Sequence, residues 1–332
     1  MSASRPKVFV SRQIPDAGLS LLREHCDVDV WPHERAPTSA ELIAACKGKD
    51  ALVCLLTEKV DAAMLAAAPN VRIVANVAVG FDNLDVPAGT AAGVLMTNTP
   101  GVLDETTADL AFALLMATAR RVVEGDTLVR SGQWGGWGIM QLLGHDVHHA
   151  QLGIVGFGRI GRGVARRARG FSMKVRYHDA QPVPPEVSRE LGADYLPLEE
   201  LLRTSDFISL HVPLMPQTHH LIDRAALALM KPSAILINTS RGPVIDETAL
   251  VQALRDGTIA GAGLDVYEHE PALAEGLHDL PNVVLLPHIG SASFATRDKM
   301  AVIAAENVIA FFAGKPPPTA LNPEVFGPKA GA

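Results

Sequence analysis

The sequence has few cysteines, few aromatic residues and no excess of basic charge. Its 332 residues include 3 cysteines and 5% aromatic residues, and 29 Lys and Arg stand against 36 Asp and Glu, a formal net charge of -7. Cys26, Cys46 and Cys54 are an odd number at wide spacings, which matches neither a disulfide framework nor a zinc site. The chain lacks the basic excess of proteins that track a phosphate backbone, so we expect no nucleic acid partner.

Long apolar runs are also missing. No run approaches the roughly 18 residues needed to span a bilayer, and the N-terminus lacks the long apolar core of a signal peptide. We therefore expect a cytoplasmic protein with no membrane partner. Apolar residues make up 48% of the chain, which is a globular composition. At about 100–200 residues per domain, the length predicts two domains.

Short β-rich apolar runs alternate with helical patterns, which predicts parallel sheets wrapped by helices. The first series has strands at residues 7–11, 51–55, 71–77 and 94–97, with helices at 16–25, 39–46 and 61–68. The second has strands at 152–156, 174–177, 206–210, 234–238, 261–265 and 283–286. We predict an α/β fold of two doubly wound lobes, with one long helix from Asp104 to about Val129 between them. A second long helix, at residues 292–312, would return to the first lobe and make it discontinuous.

A glycine-rich motif follows the first strand of the second series and opens a helix. It consists of Gly156, Phe157, Gly158, Arg159, Ile160 and Gly161. Strand before and helix after are the context that a dinucleotide-binding fingerprint requires. The first glycine permits the tight turn, the second lets the backbone approach the pyrophosphate, and the third allows close packing of the helix. We therefore predict that these six residues bind a dinucleotide.

The strand that follows this motif ends at Asp179, where a carboxylate accepts hydrogen bonds from the adenosine ribose. The same negative charge repels a 2′-phosphate, and Ala180 offers no arginine to bind one. The sequence therefore predicts NAD(H) rather than NADP(H), although His178 and Arg176 nearby leave the second cofactor open.

Three further segments follow predicted strands, where ligands bind in open α/β sheets. They contain Arg241 in Thr-Ser-Arg-Gly, Glu270 before a proline, and His288 in Pro-His-Ile-Gly. Each residue alone has an ordinary explanation as a surface ion pair, a loop acid or a satisfied polar residue. Together, and in this order after the glycine motif, they resemble the D-isomer-specific 2-hydroxyacid dehydrogenase family, and the resemblance runs from about Lys7 to Pro316.

The resemblance implies a role for each residue of this set. Arg241 binds the substrate carboxylate and carbonyl, Glu270 supports the histidine, and His288 is the acid and base of the reaction. It further implies that Thr239, Asp265 and Gly290 contact the cofactor and that Ser291 contacts the substrate. These residue types suit the chemistry, because reduction of a 2-oxo acid needs a hydride from the nicotinamide, a proton on oxygen and a counter-charge for the carboxylate.

The first lobe carries further residues that the family pattern matches. Val79 and Gly80 lie in a segment similar to the loop that holds the substrate carboxylate. Leu56 matches the loop that covers the substrate in glyoxylate and hydroxypyruvate reductases, although ordinary core packing explains it too. Thr107, at the start of the long helix, matches a threonine near the cofactor phosphates or is a plain helix-start residue. We thus expect a Rossmann NAD-binding domain at residues 101–289, inserted into a discontinuous flavodoxin-like substrate-binding domain of residues 1–100 and 290–332.

The segment from Arg130 to Trp137 combines glycines with Trp134 and Trp137. Exposure of these large rings to water is unfavourable unless another surface covers them. The resemblance implies a homodimer in which Trp137 reaches the substrate pocket of the neighbouring subunit, and packing within one chain is the alternative. His145, His148 and His149 lack the pattern of a metal site, so we predict none.

The expected activity is NAD(H)-dependent reduction of small 2-oxo acids to D-2-hydroxy acids, from glyoxylate to glycolate and from hydroxypyruvate to D-glycerate. Two alternatives remain at this point. One is a D-lactate-type or other dehydrogenase of the same family. The other is a corepressor-like protein that shares the triad and binds NAD(H) as a signal.

Overall fold

Two separate parallel sheets form the framework of the protein, which confirms the predicted α/β fold. The computed structural model describes residues 4–326. The chain divides into two compact units. The first contains the residues up to Leu103 together with those from Ala292 onward, and the second is Asp104–Ser291.

The sheet of the first unit has the strand order β2-β1-β3-β4-β5, the order of flavodoxin-like folds. Its strands are β1 Lys7–Val10, β2 Asp27–Val30, β3 Ala51–Cys54, β4 Ile73–Asn76 and β5 Leu95–Thr97. Its helices are α1 Asp16–His25, α2 Ser39–Cys46, α3 Ala62–Ala67, α4 Val86–Ala92 and, after the second unit, α12 Phe294–Phe312. Val8 and Val10 pack on one face with α1 and α12, while Phe9 packs on the other with Leu42 and Leu52. Both faces of the sheet are therefore buried.

The sheet of the second unit has the order β12-β11-β10-β9-β6-β7-β8, which is the Rossmann order with one further strand. Its strands are β6 Gln151–Val155, β7 Lys174–His178, β8 Ala193–Tyr195, β9 Phe207–Leu210, β10 Ile235–Asn238, β11 Gly261–Leu264 and β12 Val283–Leu285. Its helices are α5 Asp104–Ala119, α6 Val122–Arg130, α7 Arg159–Arg169, α8 Pro185–Leu191, α9 Leu198–Thr204, α10 Arg224–Leu229 and α11 Glu247–Arg255. All the strand pairs are parallel. The carboxyl ends of seven strands therefore meet at one edge.

The single helix predicted from Asp104 to Val129 is wrong, because the chain breaks between α5 and α6. Arg121 lies in the left-handed region at a φ of 52°. Its guanidinium binds the Glu124 carboxylate at 2.7 Å, and the Ala119 carbonyl accepts the N–H of His145. These contacts stabilise a turn where the apolar pattern alone predicts continuation. The pattern also missed β2, α4 and β8, which are short or partly exposed.

The three cysteines are buried free thiols. Within residues 4–326, none of the helices combines the length and the apolar character needed to cross a membrane.

Candidate active site

The glycine motif forms a tight turn between β6 and α7. Gly156 has a φ of 92°, and a Cβ atom there would lie 2.6 Å from the backbone of His211. A Cβ at Gly161 would overlap the carbonyl oxygen of Gly156. Gly158 precedes α7, and a Cβ there would meet no atom within 4 Å among the described residues. Two glycines thus permit the turn, and the third leaves the start of the helix open.

Asp179 lies directly against this turn. Its Oδ2 accepts the N–H of Phe157 at 2.7 Å, and its Oδ1 accepts the N–H of Ala180 at 2.7 Å. The Phe157 side chain is buried and stacks on Tyr177 with 4.2 Å between ring centroids, so only its backbone faces the turn. The carboxylate is therefore fixed beside the glycine motif, where a ribose acid is required.

The turn fits a dinucleotide in two further respects. The residue before α7 is Gly158, which has no side chain to cap the first N–H groups of the helix, so these groups can bind an anion. Thr239, after β10, is nearly buried, and within the described part of the chain its Oγ1 has no hydrogen-bond partner. Arg159 is exposed in the first turn of α7 and Ile160 is half-buried beside it. These groups match the needs of a pyrophosphate and its flanking ribose.

His288 and Glu270 form a hydrogen-bonded pair. The distance from His288 Nδ1 to Glu270 Oε2 is 2.9 Å, and the two side chains are 26% and 29% exposed. Glu270 Oε1 accepts the N–H of Tyr267 at 3.0 Å, which fixes the carboxylate. Because the carboxylate accepts a hydrogen bond from Nδ1–H, the Nε2 atom is left to exchange a proton with a ligand.

The ionisation of Glu270 reflects its surroundings. Burial raises the pKa of this carboxyl, but the hydrogen bond and charge of His288, the N–H of Tyr267 and the charge of Arg241 lower it, and the net pKa lies below its ordinary value. Arg241 follows β10, and its carbonyl accepts the Asn238 side-chain amide at 2.9 Å. The predicted triad is thus an electrostatically coupled set around Glu270.

Asp265 holds the backbone that follows His288. It is buried at the end of β11 and accepts the N–H groups of Ile289 and Gly290, both at 2.8 Å. Burial raises its pKa, against which the two N–H groups and His288 act. The buried Thr107 hydroxyl donates to the Gly290 carbonyl at 3.1 Å. Three predicted cofactor residues, Thr107, Asp265 and Gly290, therefore lie together beside His288, which itself adopts a φ of 55°.

In the first unit, Val79 and Gly80 follow β4 in a loop held by asparagines. The Asn98 amide donates to the Val79 carbonyl at 2.7 Å, and the Asn76 amide donates to the Gly80 carbonyl at 3.0 Å. With both carbonyls occupied, the N–H groups of the loop have a fixed orientation. The sequence analysis assigned no role to these asparagines, although Asn76 lies near the end of the strand predicted at residues 71–77 and ends β4.

The loop of Leu56 is held by a buried acid. Glu58 accepts hydrogen bonds from the Leu55 N–H at 2.7 Å, the Thr57 hydroxyl at 2.6 Å and the Ser11 hydroxyl at 2.5 Å. The Asn83 amide donates to the carbonyls of Leu55 and Glu58, both at 3.0 Å. Leu56 therefore stands partly exposed on a rigid loop. Nothing in the sequence around Glu58, which follows the polar Thr57, predicted that its side chain is buried.

Two predicted residues, Trp137 and Ser291, have no hydrogen bond to these clusters among those that the structure gives for the described residues. Trp137 is 80% exposed in the loop after α6, and Ser291 is half-buried in the turn that ends the second unit.

Comparisons with known proteins agree with this geometry. Residues 112–290 match the family model of the D-isomer specific 2-hydroxyacid dehydrogenase NAD binding domain. Glyoxylate reductases from Korarchaeum cryptofilum and Thermococcus onnurineus are 54% and 51% identical to the chain, with 97% of each sequence covered. An NADPH-dependent glyoxylate/hydroxypyruvate reductase from Sinorhizobium meliloti, solved with NADP and malonate, is 34% identical with a TM-score of 0.86, covering 98% of this chain and 100% of that one.

Three findings support the same family assignment. They are the match over more than half of the chain, the identity to the two reductases and the arrangement around Glu270. They confirm the resemblance on which the sequence analysis depended, and with it the NAD-binding Rossmann domain. The chain belongs to the D-isomer-specific 2-hydroxyacid dehydrogenase family.

Proposed function

We propose that this protein reduces glyoxylate to glycolate and hydroxypyruvate to D-glycerate with NADH. The observation that carries the proposal is the His288–Glu270 pair at 2.9 Å, with Arg241 acting on the same carboxylate. The two curated relatives named glyoxylate reductases support the first substrate, and the Sinorhizobium meliloti enzyme supports the second. A corepressor-like NAD(H) sensor would share this triad, so a measurement of turnover separates it from the proposed enzyme.

His288 and Arg241 have complementary roles in this reaction. NADH supplies the hydride that forms the new C–H bond at C2. His288 Nε2 gives a proton to the carbonyl oxygen, and Glu270 stabilises the protonated ring beforehand. Arg241 neutralises the substrate carboxylate with a planar cation able to bind it bidentately. In the oxidation direction, neutral His288 takes the proton back.

We assign the remaining predicted residues to binding. The NAD-binding domain corresponds to the second unit, and the substrate-binding domain to the first. Val79 and Gly80 bind the substrate carboxylate through backbone N–H groups, Leu56 lines the pocket, and Ser291 contacts the substrate. The glycine motif, Asp179 and Thr239 bind NADH, while Thr107, Asp265 and Gly290 shape the backbone between cofactor and His288. We place the protein in the cytoplasm, where NADH is available.

A panel of 2-oxo acids with NADH and NADPH tests the proposal. We expect steady oxidation of NADH with glyoxylate and hydroxypyruvate, and a higher kcat/KM with NADH than with NADPH. Pyruvate as the best substrate would replace the proposal with a D-lactate-type dehydrogenase. Tight NADH binding without turnover on any 2-oxo acid would replace it with a sensor.

We also propose that the protein is a homodimer. Helix α6 buries none of its residues within its own chain, and Val122, Val123 and Val129 are exposed on it. Trp134 and Trp137 follow at 52% and 80% exposure. An isologous contact would cover this apolar strip. Sedimentation at assay concentration should give a dimer, and Trp137→Ala should raise the KM for glyoxylate with NADH affinity retained. A fully active monomer would contradict the proposal.

A further inference from the structure

Three side chains outside the proposed active site bring two imidazoles and a carboxylate together. The rings of His219 and His220 have 4.0 Å between their centroids, and His220 Nε2 lies 2.7 Å from Glu268 Oε1. One ligating atom from each of His219, His220 and Glu268 can be chosen so that all three lie within 4.8 Å of one another. Two imidazole nitrogens with one carboxylate oxygen form a donor set of open zinc sites.

The backbone at His220 has an uncommon conformation. His220 has a φ of 50°, in the left-handed region that few residues other than glycine adopt. Its N–H donates to the Pro243 carbonyl at 2.8 Å, and Ile222 pairs with Val244 two residues later. The segment is thus fixed by hydrogen bonds to the turn that follows Arg241. Held this way, the imidazole of His220 stays beside Glu268 without a rearrangement of the chain.

The backbone of Glu247 orients the Glu268 carboxylate. Its Oε2 accepts the N–H of Glu247 at 3.2 Å. The Glu247 side chain is buried; its Oε2 accepts the Ala274 N–H, and within the described residues its Oε1 has no hydrogen-bond partner. The Glu268 carboxylate is therefore held in place beside His220.

We propose that His219, His220 and Glu268 bind one divalent transition-metal ion of the Zn²⁺ class, with a fourth position open to water. Bonds of about 2.0–2.1 Å to each atom let two ligands of one ion lie at most about 4.2 Å apart. The chosen atoms lie within 4.8 Å of one another, so a small rotation of the exposed His219 side chain would be needed to bring its nitrogen into that range. Mg²⁺ and Ca²⁺ prefer oxygen ligands alone, so this donor set selects against both.

The proposed metal site adjoins the segments of the proposed active site but takes no part in the proposed reaction. Glu268 belongs to the same short segment as Glu270, and a Cβ atom at Gly242 would overlap the carbonyl carbon of Tyr267, so the two segments are in close contact. An ion on Glu268 would therefore restrain the segments that carry Arg241 and Glu270. Sequence analysis missed this cluster because its ligands come from two distant segments.

Calorimetric titration of the tag-free, full-length, EDTA-treated protein with ZnCl₂ tests the proposal. We expect one ion per chain with micromolar or tighter Kd, and no comparable binding of MgCl₂. His219→Ala and Glu268→Gln should each weaken Zn²⁺ binding at least about tenfold, since even changes around metal ligands cost about that much. His219 is exposed, so its replacement should leave the circular dichroism spectrum unchanged.

Two control variants separate this site from other histidine–acid pairs. His278→Ala removes an exposed histidine that lies 3.2 Å from Asp279, and His288→Ala removes the histidine of the active-site pair. Both should bind Zn²⁺ as the parent does. The proposal is overturned if the parent binds no stoichiometric Zn²⁺, if His219→Ala and Glu268→Gln leave the Kd unchanged, or if His288→Ala alone abolishes binding.

Discussion

Replacing Glu270 with glutamine tests how the active site holds a proton on His288. The amide keeps the shape of the carboxyl group and can still accept the Tyr267 N–H, but it removes the negative charge opposite His288 Nδ1. Hydrogen bonds to charged groups contribute about 1.5–3 kcal/mol, and side chains 26% and 29% exposed are only partly screened by water. At about 1.36 kcal/mol per tenfold change in rate, the loss corresponds to a kcat/KM roughly 10–100-fold lower.

The direction of the pH effect on kcat/KM depends on which protonation form of His288 reacts. Reduction needs the protonated ring, which the Glu270 charge favours, so in Glu270→Gln the loss of kcat/KM should grow as the pH rises. At the alkaline end of the range the variant should be about 10–100-fold slower with glyoxylate, and at the acid end the loss should be small. Oxidation of glycolate uses the neutral ring and should lose less at the same pH. Because the pKa of Glu270 lies below its ordinary value, the carboxylate stays ionised throughout this range.

The measurement is the initial rate of NADH oxidation between about pH 5.5 and 9 at constant ionic strength. Glu275→Gln is the matched control, since it removes one exposed carboxylate nearby and should leave the profile unmoved. An equal loss at every pH in Glu270→Gln, with the alkaline limb unshifted, would refute the reasoning and make Glu270 a purely structural group.

Three further outcomes can be checked. Asp179→Ser combined with Ala180→Arg should lower the ratio of kcat/KM with NADH to that with NADPH by at least about tenfold; equal efficiency of the parent with both cofactors would contradict the role of Asp179. Glu58→Gln should destabilise the protein by about 1–3 kcal/mol in denaturant titration and raise the KM for glyoxylate with the Kd of NADH unchanged, because an NH₂ donor replaces one of the two buried oxygens that accept from Ser11, Leu55 and Thr57; an unchanged KM would argue against the Leu56 loop. Gly242→Ala should lower the Tm and the activity, because its Cβ would overlap the Tyr267 backbone, whereas Gly170→Ala, at an exposed position where the Cβ would make only an ordinary contact at 3.4 Å, should do neither.

The sequence could predict those features of the fold and the site that depend on residues close together in the chain. The glycine motif, the strand ending at Asp179 and the segments of Arg241, Glu270 and His288 are each short and follow a strand. Because parallel strands end at one edge of a sheet, their order along the chain implies that they come together. The alternation of strands and helices likewise predicted both sheets, since burial on two faces gives continuous apolar runs.

Contacts between distant segments decided the rest. The break at Arg121 depends on the N–H of His145, and the two hydrogen bonds from Ile289 and Gly290 give Asp265 a positioning role that no local pattern reveals. The loop of Leu56 owes its rigidity to Glu58 and Asn83, polar residues whose burial depends on the groups that satisfy them. Apolar periodicity records which face is buried, but the partner of a buried polar group is set by where the chain returns, and only the tertiary structure specifies that.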